Sequence, residues 1–195
     1  MRKLLGTLVL RLFGWNVEGE APAPDKYVLI AAPHTSNWDF IFLLAFAEHF
    51  GVRVSWLGKL EMFRWPFAGL LRRLGGIPVA RKASDNLVER LAELFAERDA
   101  LCLTVPVEGT RGYVDHWKSG FYHIARAAKV PIVMSYLDYP RKNGGFGPAF
   151  TPTGDIVHDM DVFRAFYDGK EGKQPKLTGR IRLKEEDSPL EETGT

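Results

Sequence analysis

The chain has 195 residues, 46% of them hydrophobic, a size at which one domain buries a full core without a metal or disulfide. Its formal net charge of +2 lacks the domain-wide basic excess of nucleic-acid-binding proteins, which excludes that partner class and leaves any electrostatic role local. A single cysteine, Cys102, inside the apolar run 101–105, excludes a disulfide framework and a cysteine pair for a metal, and it reads as a small buried hydrophobe in keeping with a reducing cytoplasm.

No run of 18 or more apolar residues occurs, so no membrane-spanning helix is expected. The start, MRKLLGTLVLRLFGW, has the basic and apolar parts of a signal peptide, but no small-residue cleavage site follows it. Written as a helix, it puts Leu4, Leu5, Leu8, Val9 and Leu12 on one face. Two readings stay open for residues 1–20. The helix lies in a bilayer interface with Phe13 and Trp15 as aromatic anchors, or it packs on its own domain.

The main domain is expected over residues 21–184. After the proline-rich connector 21–24, the apolar run 27–32 reads as a buried strand closed by Pro33, which puts His34 at a strand end. Ser36 or Asn37 then caps a helix that stops near Gly51. A strand at 53–57 precedes a segment rich in aromatics and arginine, 61–74, which Gly75 and Gly76 terminate. That segment interleaves Lys59, Arg64, Arg72 and Arg73 with Phe63, Trp65, Phe67, Leu70 and Leu71, either as a face for anionic lipid or as a surface helix with snorkelling arginines.

Residues 77–79 form another short strand, and Ser84 or Asp85 caps an amphipathic helix whose core stripe is Leu87, Leu91, Leu94 and Phe95. Strand 101–105, loop 106–117, helix 120–129 and strand 130–137 follow. Further on, 143–147 reads as a flexible turn, 159–167 as helix, 179–183 as a late edge strand, and the acidic stretch 185–195 as a disordered tail. Strands alternating with helices predict an α/β domain, a mostly parallel central sheet flanked by helices.

Two loops carry the reactive side chains, and each follows a predicted buried strand, where α/β sheets place their sites. In AAPHTSNWDF, His34 on the loop and Asp39 in the first helical turn pair an imidazole with a carboxylate that fixes its tautomer. This is the base half of a triad without its serine, so the nucleophile is a substrate hydroxyl, and amides near residues 35–37 face the developing oxyanion. The plainer reading is a capping Asp39 and a structural His34. In VPVEGTRG, Gly109 allows a sharp bend and Arg111 presents a fork to a phosphate or carboxylate, or else forms an internal ion pair with Glu108. His49, His116, His123 and His158 have no metal-ligand spacing, and no nucleophile elbow, Walker loop or dinucleotide fingerprint occurs.

His34-Thr-Ser-Asn-Trp-Asp39 resembles the H-x-x-x-x-D motif of the glycerolipid acyltransferases, the family of lysophosphatidic acid acyltransferase, and Glu108-Gly-Thr-Arg111 matches their E-G-T-R motif. GGIPVAR at 75–81 and VPIV at 130–133 resemble two further family blocks, and Lys118 and Gly120 fit the segment between. Val107 separates Pro106 from Glu108, where the family often runs proline directly into glutamate, and Gly112 stands where a small hydroxyl residue is common.

The resemblance implies direct acyl transfer from acyl-CoA or acyl carrier protein to a hydroxyl of a lysophospholipid such as lysophosphatidic acid, without a cofactor. His34 is then the general base, Asp39 its partner, and Arg81, Glu108, Gly109, Thr110 and Arg111 hold the acceptor's polar head. A peripheral place on the cytoplasmic face of a membrane goes with it. A lyso-aminolipid acceptor, or a non-catalytic lipid-binding protein of the same fold, are the alternatives.

Overall fold

The structure, a computed structural model, describes residues 2–79 and 86–187. Seven strands form one sheet: β1 (Asn16–Glu18), β2 (Lys26–Ala31), β3 (Val54–Lys59), β4 (Gly76–Val79), β5 (Leu101–Pro106), β6 (Ile132–Asp138) and β7 (Asn143–Phe150). Their spatial order is β1-β7-β6-β2-β5-β3-β4, with every neighbouring pair parallel except the antiparallel β6–β7. This is the predicted α/β class with a mostly parallel sheet.

The central strands are largely apolar because both of their faces are covered. Along β2, Val28 and Ile30 join a core with Leu91, Phe95, Phe121, Ile124, Met160 and Phe163. Those side chains come from α4 (Leu87–Glu97), α5 (Gly120–Ala128) and α6 (Ile156–Tyr167). Tyr27 and Leu29 point the other way, into a core with Ala47, Leu43 and Leu44 of α2 (Trp38–Phe50). That helix ends where expected, at Gly51, whose left-handed backbone (φ 76°) lets its N–H return to Ala47 and Glu48.

The N-terminal helix α1 (Arg2–Leu12) is packed on its own domain, the second of the two readings. It packs on α2 through Leu10 and Gly6, where a Cβ would lie 2.5 Å from the Ala45 carbonyl oxygen. Leu4, Leu5, Leu8 and Leu12 remain exposed. Trp15 is not a surface anchor: it is buried against Phe42, Phe46 and Tyr139.

The predicted turn at 143–147 is the first half of β7, and β1 beside it went unseen. Its glycines serve close approach rather than a bend: a Cβ at Gly144 would lie 2.7 Å from the Phe46 ring, and one at Gly145 1.9 Å from the Glu18 carbonyl oxygen. Residues 179–183 form no strand; they bond to the loop before α5, Arg180 N–H to Val114 and Trp117 N–H to Arg182. The segment after β3 is a 3-10 turn (Leu60–Met62) and a short helix, α3 (Ala68–Arg73). Lys184–Asp187 is a 3-10 turn held by Arg164 on Glu186. Arg81 and the proposed caps Ser84 and Asp85 lie outside the described residues, as does 188–195 of the acidic tail.

Candidate active site

The chain leaves β2 through Ala32 and Pro33 and brings His34 to the C-terminal end of the sheet, beside the start of α2. Neither Ser36 nor Asn37 caps the helix in the ordinary way. Asn37 makes no capping bond, and Ser36 Oγ accepts only from Trp38 N–H at 3.2 Å. Asp39 does the work from within the first turn: its Oδ2 accepts from the N–H groups of Thr35 and Ser36, both at 2.8 Å. Those amides are therefore committed to the carboxylate and do not face a developing oxyanion.

The same Oδ2 lies 3.2 Å from His34 Nδ1, while Tyr139 donates its hydroxyl to Oδ1 at 2.6 Å. Asp39 is 6% exposed and the His34 side chain 22%, so the carboxylate is sheltered and the ring remains accessible. With Nδ1 turned to Asp39, Nε2 is the ring nitrogen open to a substrate.

The second loop follows β5, the neighbour of β2 in the sheet, and this adjacency brings the two motifs together. Gly109 adopts a left-handed backbone (φ 69°) and closes a turn onto the Pro106 carbonyl at 3.0 Å. The inserted Val107 is fully buried, and its carbonyl accepts from Lys118 N–H. Glu108 turns inward, 1% exposed, and pairs with backbone rather than with Arg111: Oε2 accepts from His34 N–H at 2.5 Å and Oε1 from Gly179 N–H at 3.2 Å. Burial raises its carboxyl above the ordinary value, opposed by those two N–H groups. Arg111 is exposed and donates to Asn37 Oδ1, and Thr110 Oγ1 accepts from Gly112 N–H.

His34, Asp39, Asn37 and Arg111 help to line a cavity of about 600 Å³ whose walls are largely apolar, among them Phe40, Leu43, Phe46, Trp56, Leu57, Met62, Leu137 and Phe146. A smaller hollow of about 320 Å³, lined by Thr35, Ser36, Asn37, Trp38, Arg111, Gln174 and Leu177, adjoins it through Asn37 and Arg111. The cavity that includes His34 thus shares Asn37 and Arg111 with a second, smaller hollow.

Sequence reasoning missed two contributors. Tyr139 carried only a weak signal, its place just past the end of β6. The strap after α6 carried none: Gln174 N–H donates to Thr35 Oγ1 at 3.1 Å, and a Cβ at Gly172 would lie 2.7 Å from that oxygen. The remaining histidines lie elsewhere, His49 against Thr7, His116 against Asp187, His123 against Glu185, and His158 in the first turn of α6, where its N–H donates to Asp155. Among the described residues no group of three or more His, Cys, Asp or Glu side chains is placed to hold a metal.

The family model described as Acyltransferase matches residues 14–137, well over half of the chain. Among solved structures the chain is similar in fold to the 1-acyl-sn-glycerophosphate (LPA) acyltransferase, PlsC, from Thermotoga maritima. The TM-score is 0.58 at 19% identity, over 85% of this chain and 74% of that one. No curated protein matches the chain.

Proposed function

Because the chain belongs to the acyltransferase family, a membership that implies transferase activity, we propose that it moves a fatty acyl group from acyl-CoA or acyl carrier protein to a lysophospholipid hydroxyl. Lysophosphatidic acid is the acceptor this reading favours. The observation that carries it is His34, held by Asp39 through Nδ1, in the lining of a largely apolar cavity to which Arg111 also contributes.

In this reading His34 Nε2 removes the proton from the acceptor hydroxyl as its oxygen attacks the thioester carbonyl. The imidazolium formed is stabilised by the Asp39 carboxylate. As the tetrahedral intermediate collapses, the carbon–sulfur bond breaks and the imidazolium returns its proton to the departing thiolate. No serine or cysteine nucleophile intervenes, which fits an imidazole partnered by a carboxylate alone.

The acyl chain lies in the apolar cavity and the polar head in the smaller hollow, where the Arg111 guanidinium presents a fork to a phosphate. Gly109 and Thr110 shape that loop. Glu108 contributes from beneath, by bracing the backbone of His34 rather than by touching the substrate. Arg81 is assigned a second phosphate contact on the resemblance of GGIPVAR to the family block.

The enzyme is placed as a peripheral protein on the cytoplasmic membrane face, with residues 1–20 contributing membrane contact and 21–184 forming the acyltransferase domain. No helix among the described residues is long and apolar enough to cross a membrane. Two exposed faces support a surface location. One is the leucine row of α1 with Phe13 packed on Trp38; the other sets Leu60, Met62, Trp65 (91% exposed), Phe67 and Leu70 among Lys59, Arg64, Arg72 and Arg73.

The test is release of free thiol from a panel of acyl-CoA and acyl-carrier donors, with lysophosphatidic acid, a lyso-aminolipid or neutral lipid alcohols as acceptors. Turnover fastest with the phosphate-bearing acceptor supports the proposal. Preference for the lyso-aminolipid moves the acceptor to that class, and no turnover with any pair favours a lipid-binding protein.

A further inference from the structure

We propose that Tyr139 is a positioning residue for this reaction, setting the rotation and the hydrogen-bonding strength of the Asp39 carboxylate that holds His34. This rests on His34 and Asp39 being the base and its partner.

Asp39 is a crowded acceptor with an uneven division of labour. Oδ2 receives Thr35 N–H and Ser36 N–H and also faces His34 Nδ1, whereas Oδ1 receives only the Tyr139 hydroxyl among the described contacts. A carboxylate anchored on one oxygen can still turn about its Cβ–Cγ bond. A second anchor on the other oxygen fixes the plane that presents Oδ2 to the imidazole.

Tyr139 is itself held on several sides. Its ring makes edge contacts with Trp15 and Phe42, lies beneath the ammonium groups of Lys142 and Lys173, and its N–H donates to the Glu171 carbonyl at 3.0 Å. Burial and the neighbouring Asp39 push the phenol well above its ordinary value, so it stays protonated and can only donate to the carboxylate. A donor on Oδ1 also withdraws electron density from Oδ2. The carboxylate therefore grips the imidazolium less tightly than an unbonded one would, and the base returns its proton more readily.

The experiment compares wild type, Tyr139→Phe, Asp39→Asn, the double variant and His34→Ala, following kcat and KM against pH with lauroyl-CoA and lysophosphatidic acid. Tyr139→Phe keeps the ring packing and should lower kcat by about tenfold with KM little changed, the loss of one hydrogen bond to a charged group. It should also move the acidic limb of the kcat profile to higher pH, because the freed carboxylate holds the imidazolium more strongly. In the Asp39→Asn background it should cost nothing further.

Incorporation of 3-fluorotyrosine in place of Tyr139 keeps ring and hydroxyl and strengthens the donor, so it should move the limb the other way and serves if the phenylalanine variant folds poorly. Unchanged kcat and limb in Tyr139→Phe, or an equal loss with Asp39→Asn already present, overturns the inference. His34→Ala separates the two claims: if it is inactive while Tyr139→Phe behaves as wild type, the tyrosine role alone fails. If His34→Ala retains full activity, the underlying reading fails with it.

Discussion

The backbone N–H of His34 donates to Oε2 of Glu108 at 2.5 Å, so the second motif holds the first by its main chain. Both Glu108 oxygens act as acceptors, the other from Gly179 N–H, and a glutamine cannot reproduce that. Its NH2 would face one of the two backbone donors. Glu108→Gln should therefore lower stability by about 1–3 kcal/mol, the cost of a buried N–H left without an acceptor. It should lower kcat as well, because the displaced amide belongs to His34 itself. Urea denaturation together with steady-state rates checks both, and an unaltered kcat would contradict the bracing role.

The apolar cavity predicts chain-length selection. Leu43 lines it from α2, and Leu43→Phe adds volume to one wall. The ratio of kcat/KM for long over short acyl-CoAs should fall by roughly tenfold or more for each methylene that no longer fits. A uniform loss across all chain lengths would mean that the acyl chain lies elsewhere.

Helix α1 predicts how the protein meets lipid. Leu8 and Leu12 are exposed, so Leu8→Asp with Leu12→Asp should change folding stability by only about 0.5 kcal/mol each. Sedimentation with phosphatidylglycerol vesicles should weaken markedly, since apolar burial and anionic attraction are both reduced. Retention equal to wild type would shift the contact to the face around Trp65.

Docking of α1 on α2 should depend on pH through His49, which meets Thr7. Burial, then Lys3 and Arg11, lower its pKa below the ordinary 6.5. A lowered histidine favours the neutral form in the fold, so its contribution to stability is present above pH 6.5 and is lost as pH falls through the lowered value. The stability of wild type minus that of His49→Gln, measured from pH 8 down to pH 5, should decline on acidification. A difference that is flat or rises there would contradict this.

Much of the fold was legible because the central strands are short continuous apolar runs and the helices between them are amphipathic. What escaped depends on contacts distant in sequence. β7 hides behind Gly144 and Gly145, whose small size answers to Phe46 and Glu18 rather than to a turn. Trp15 looked like an anchor because no local pattern reports that Phe42, Phe46 and Tyr139 close over it. In the site, the pairing of His34 with Asp39 was readable from one loop, and its junction with the second motif followed from adjacent parallel strands. The inward turn of Glu108 was not, since its acceptors' partners, His34 N–H and Gly179 N–H, lie 74 and 71 residues away.

The most direct test of the account is the single-turnover rate of acyl transfer by His34→Ala, with folding verified by its melting transition. Loss of a general base predicts a fall on the order of 10²–10⁴ while acyl-CoA binding persists, because the apolar walls formed by Phe40, Leu43, Phe46 and Trp56 are unchanged. A folded His34→Ala protein that transfers acyl groups at the wild-type rate would contradict it.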